Sequence, residues 1–79
     1  MSDTLPRLVD VFRRVFDDDT LQITPATTAG SVEAWDSVMH ITLMMACEKA
    51  FGVRFRAGDV AGLKDVGELV GVIDRLRTR

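Results

Sequence analysis

Ser37-Val38-Met39-His40-Ile41-Thr42-Leu43-Met44-Met45-Ala46-Cys47-Glu48-Lys49-Ala50-Phe51-Gly52 is the stretch that decides how this chain folds. It is dense in good helix formers, broken only by His40, Thr42, Glu48 and Lys49, and it stops at a glycine suited to a helix C-terminus. Turning it by about 100° per residue puts Leu43, Met44, Cys47, Ala50 and Phe51 on one broad arc, with Met39 at its edge. That arc is expected to face a core. Val38, Ile41 and Met45 fall on a second, narrow arc beside Ser37, flanked by Thr42, Glu48 and Lys49. A helix in so small a protein cannot bury every side, so this second stripe is expected to lie partly in water.

Upstream, residues 20–36 lose any period and fill with Thr, Pro, Gly and Ser, the composition of one long ordered loop. Leu21, Ile23 and Trp35 are its expected anchors, because ordering such a loop without apolar contacts would cost too much conformational entropy. Before it, Leu5, Leu8, Val9, Phe12, Val15 and Phe16 form the stripe of an amphipathic helix, with Asp3 or Thr4 to cap it and Pro6 in the first turn. Asp17-Asp18-Asp19 mark its end.

Downstream, residues 53–62 suit an extended Val53-Arg54-Phe55 followed by at most one helical turn that holds Val60 near the core. Asp65 and Glu68 have the spacing of a capping box and open a last helix with the stripe Val66, Leu69, Val70, Ile73 and Leu76. The expectation is an all-α fold: a small four-helix bundle of three main helices and one short one, with the long loop between the first and second helices, in a single domain over residues 1–79.

Seventy-nine residues leave room for one core and argue against a deep enzyme pocket. With 47% hydrophobic and 28% charged residues, the chain is too apolar for disorder and too interrupted by charge for a membrane span. A net charge of −2 and no aromatic platform argue against nucleic acid, since Arg13, Arg14, Arg54 and Arg56 are offset by Asp17, Asp18 and Asp19. Arg75, Arg77 and Arg79 alternate at the end of the last helix, where cations complement the macrodipole. One cysteine excludes a disulfide framework, and the opening Met1-Ser2-Asp3-Thr4 has no basic start followed by an apolar run, so a cytoplasmic location is expected.

The chemistry is expected where loop becomes helix. Asp36-Ser37 stands at that boundary, where unpaired N–H groups and the helix dipole favour an attached phosphodiester, although plain N-capping is the commoner use of such a pair. Asp36, Ser37 and His40 do not make a nucleophilic triad: they lie on one helical turn, and nothing in so small a chain supplies an oxyanion hole or a water-excluding pocket. No catalytic and no metal site is expected.

Trp35-Asp36-Ser37-Val38, followed by Ile41, Leu43, Glu48 and Phe51-Gly52-Val53-Arg54-Phe55, resembles the acyl and peptidyl carrier proteins, and Leu63-Lys64-Asp65-Val66-Gly67-Glu68-Leu69 resembles their closing helix. The resemblance implies that a phosphopantetheinyl transferase attaches 4′-phosphopantetheine from coenzyme A to Ser37, with Asp36 positioning metal and coenzyme A in that complex. It implies a monomeric carrier that holds acyl or aminoacyl groups as thioesters and is loaded by a ligase or synthase. Val38, Ile41, Thr42, Met45 and Glu48 occupy the positions that meet partner enzymes, in agreement with the stripe read from the residues. Cys47 lies on the core arc and is a poor candidate for the working thiol.

The pattern departs from carriers of general fatty acid synthesis in two ways. The central helix is not studded with acidic residues, leaving Glu48 as its main anion, and Val38 replaces the Leu of Asp-Ser-Leu. Both departures, with Trp35 before Asp-Ser, favour a dedicated biosynthetic pathway and partner recognition that is more apolar than ionic. The rival expectation is an unmodified interaction module that docks a partner on Val38, Ile41 and Met45.

Overall fold

The computed structural model describes residues 3–32 and 34–77; Arg79 lies outside them. Its elements run α1 (Thr4–Val15), a 3-10 turn (Ala29–Ser31), α2 (Ser37–Phe51), α3 (Ala57–Val60) and α4 (Val66–Arg77). Four α-helices and no strand occur among the described residues, and α1 packs against both α2 and α4. This is the all-α bundle expected from the apolar periodicities, with the long loop between α1 and α2.

The core is built from Leu8, Val11 and Phe12 of α1, Leu43, Met44, Cys47 and Phe51 of α2, and Val66, Leu69 and Ile73 of α4. Each such side chain contributes about 1.5–3 kcal/mol by leaving water. Ile23, Val32 and Trp35 of the long loop join them, while Leu21 is half-buried against the cluster. The sequence reading of α1 passed over Val11, whose buried position lies one residue off the stripe, and placed Val9 in its stead, which is only half-buried. Leu76 and Val70, at the edges of the α4 stripe, are likewise half-buried.

The helix ends show which polar groups the chain spends on capping. Gly52 adopts φ +64°, and Val53 N–H donates to the Glu48 carbonyl at 3.1 Å, closing α2 with a left-handed turn that a β-carbon would strain. Asp17 takes the same conformation (φ 52°) at the end of α1, where Asp18 N–H reaches back to the Arg13 carbonyl at 2.9 Å. Asp65 caps α4 by accepting the Glu68 N–H at 2.9 Å, but the Glu68 carboxylate receives the Lys64 N–H rather than that of Asp65, so the expected capping box is displaced by one residue.

Neither Asp3 nor Thr4 caps α1 with its side chain, contrary to expectation. Both are drawn off by α4: the Asp3 carboxylate accepts from Arg77 at 2.7 Å, and the Thr4 hydroxyl bonds Asp74. Arg77 therefore does more than complement the helix dipole; it also lies over the Phe51 ring, as does Arg7, with guanidinium-to-centroid distances of 5.4 and 4.8 Å. The Arg77 hydrogen bond holds the Asp3 carboxyl below its ordinary range, so this tie is fully present above that range and is lost as pH falls beneath it, through the lowered value.

The long loop is stitched to α4. Val66 N–H donates to the Thr27 carbonyl and Gly67 N–H to the Pro25 carbonyl, each at 2.8 Å, giving partners to two amides in the first turn of α4. The approach is so close that a β-carbon at Gly67 would stand 3.1 Å from the Pro25 oxygen.

Phe12 is fully buried, its ring edge-on to Trp35 at 5.2 Å and stacked on Phe16 at 5.9 Å. Phe12→Ala is expected to cost about 3–5 kcal/mol, read from the shift of the urea midpoint followed by Trp35 fluorescence.

Candidate functional site

The site is assembled at the N-terminal end of α2. Asp36 is extended (φ −107°, ψ −171°) and its Oδ1 accepts the Met39 N–H at 2.9 Å, while its carbonyl accepts the His40 N–H at 2.8 Å. Asp36 is thus the N-cap, and Ser37 is the first helical residue, with its side chain exposed to solvent. Beside it lies a hollow of about 390 Å³ lined by Ala29, Trp35, Asp36, Ser37 and His40.

Trp35 is buried and forms one wall of this hollow. Its indole Nε1–H donates to His40 Nδ1 at 3.1 Å, with the ring centroids 6.0 Å and their planes 15° apart. This pairing is a contact that sequence reasoning missed: Trp35 was expected as an anchor of the loop, and it is one, but its bond to His40 also spans the loop-to-helix junction. It also removes the geometry of a hydrolase, because His40 Nδ1 is engaged by an indole and not by a carboxylate.

Along α2 from Ser37, Val38, Ile41 and Met45 are 71%, 63% and 63% exposed, the stripe expected from the helix wheel. Thr42 is exposed beside them, its hydroxyl donating to the Val38 carbonyl at 3.3 Å. Glu48 is half-buried, and its Oε2 accepts the Phe55 N–H at 2.8 Å. The main anion of the helix therefore also pins the segment after Gly52, a role its helical position did not reveal. Between this face and α3 runs a groove of about 270 Å³ whose walls include Ile41, Met45, Phe55 and Val60.

Contiguous exposed apolar residues of this kind, rimmed by polar ones, mark a surface that meets another molecule. At its head stands an accessible hydroxyl on a helix N-terminus, where amide groups and the helix dipole favour a phosphate ester.

Residues 6–73 match the family described as phosphopantetheine attachment site. The chain belongs to this family of carrier proteins. The carrier's fold is also that of a solved structure, the solution NMR structure of holo acyl carrier protein from Geobacter metallireducens, with 37% sequence identity, a TM-score of 0.92, and coverage of 99% of this chain and 90% of that one. No curated protein matches it. Membership makes the chain a carrier of covalent 4′-phosphopantetheine and not an enzyme in its own right. The residues present fit such a group: the Ser37 hydroxyl is accessible and the adjoining hollow gives a phosphodiester room. No helix among the described residues is long and apolar enough to cross a membrane.

Cys47 is fully buried on the core side of α2. Burial, with a smaller contribution from the Glu48 charge, pushes its thiol up to about 12, so it stays protonated at neutral pH. In the folded apo protein Cys47 is expected to resist a maleimide at pH 7.5 and to react fully once urea unfolds the chain, both followed by intact mass.

Proposed function

We propose that Ser37 carries the phosphopantetheine arm and that the chain is a single-domain, monomeric, cytoplasmic carrier serving a dedicated pathway for a fatty acid, polyketide or aminoacyl product. The observation that carries this reading is the position of Ser37: an accessible hydroxyl at the first helical residue of α2, heading an exposed apolar stripe, in a chain whose family bears the arm. Once attached, the arm supplies a terminal thiol on which acyl or aminoacyl groups ride as thioesters.

The chain's own residues then divide the work. Asp36 fixes the start of α2 through Oδ1, and its exposed carboxylate is placed to help position metal and coenzyme A in the complex with a phosphopantetheinyl transferase. Val38, Ile41 and Met45, with Thr42 and Glu48 at the rim, form the docking face for that transferase and for the ligase or synthase that loads the thiol. Because this face is apolar and Glu48 is already engaged by Phe55, docking depends less on salt than it would on an acidic helix. The tether raises the effective concentration of cargo at each partner without tight docking.

Intact mass spectrometry after incubation with coenzyme A and a broad-specificity phosphopantetheinyl transferase tests the attachment. A gain of one phosphopantetheine is expected in wild type and none in Ser37→Ala. No gain in folded wild type would sink the assignment and leave an unmodified docking module. Met45→Glu is expected to keep the circular dichroism of wild type and to lower kcat/KM with the loading enzyme at least about tenfold, equal to ~1.4 kcal/mol; unchanged kinetics would remove the docking face.

A further inference from the structure

We propose that His40 binds the phosphodiester of the arm, with Trp35 setting the tautomer that makes this possible. The inference rests on the assignment of the arm to Ser37. Indole Nε1 only donates, so His40 Nδ1, 3.1 Å away, accepts and carries no proton. The neutral ring must then hold its hydrogen on Nε2. The two ring planes lie 15° apart, the arrangement of an N–H donating in its own plane to a ring nitrogen.

That Nε2–H has no acceptor among the described residues. His40 is half-buried, and among the described residues no side-chain nitrogen or oxygen is both buried and unpartnered, so Nε2 is open to solvent. Ser37 and His40 are three apart on α2, neighbours with Cβ atoms about 5–6 Å apart, and both line the 390 Å³ hollow. A phosphodiester on the Ser37 oxygen carries one negative charge into that hollow, where an N–H···O⁻ bond from Nε2 is charge-assisted. The charged residues that line these hollows with His40 are Asp36, Glu48 and Arg56, and all three are present with and without the arm.

The chain has one histidine, and a phosphodiester does not itself titrate near neutrality, so phosphorus NMR of the holo protein isolates the contact. Holo protein, with its mass verified, is examined at about pH 8, above the usual range of imidazole titration, by 31P and by the 15N resonances of the His40 ring. The expected result is a ring that carries its hydrogen on Nε2, an Nε2 resonance that moves when the arm is attached, and a displaced 31P resonance in holo His40→Ala. An Nε2 resonance equal in apo and holo protein would overturn the proposal, a comparison that needs no variant, as would a ring that carries its hydrogen on Nδ1. A mass spectrum without the arm on Ser37 would overturn this proposal together with the assignment beneath it.

Discussion

Trp35 is the constraint on which the rest of the structure depends. Its N–H is spent on the imidazole of His40 in α2, with the two ring planes 15° apart, and the ring of Phe12 from α1 meets it at 73°. A single side chain thereby joins the first helix, the end of the long loop and the first turn of the second helix. The polar tip of an otherwise apolar ring is satisfied by a partner on the functional element, which is how a buried indole avoids the cost of an unmade hydrogen bond. The position of Ser37, two residues on, follows from that anchorage.

The second organising feature is the division of α2 into two apolar faces. Leu43, Met44, Cys47 and Phe51 are buried in the core they share with α1 and α4, and no neighbour among the described residues covers Val38, Ile41 and Met45. Among the described residues no further helix closes the second face. The same face adjoins the serine, so the proposed attachment point and the proposed docking face share one element, with no need for long-range communication between them.

Much of this was legible in the residues because helical periodicity is a local property. The two arcs of α2 and the stripe of α4 follow from spacing alone, and the loop's reliance on Ile23 and Trp35 from the cost of ordering so long a segment without apolar anchors. What escaped depends on contacts between distant segments. Asp3 and Thr4 give up capping for Arg77 and Asp74, and Glu48 turns to the Phe55 amide once Gly52 reverses the chain. The Trp35–His40 bond belongs to the same class: both residues were singled out, but only the packing of the junction brings nitrogen to nitrogen. Asp36-Ser37 stood out by position and resemblance, since as a dipeptide it is indistinguishable from an ordinary cap.

The burial of Cys47 bears on the fidelity of cargo handling. A thioester is vulnerable to any second thiolate within reach, and a carrier that exposed its own cysteine would offer an intramolecular acceptor at high local concentration. Here the sole cysteine is sealed in the bundle and its thiol is held at about 12, leaving almost no thiolate near neutrality. The polypeptide is therefore chemically silent toward its own acylated arm, and S-to-S migration onto the protein is closed off both by access and by protonation.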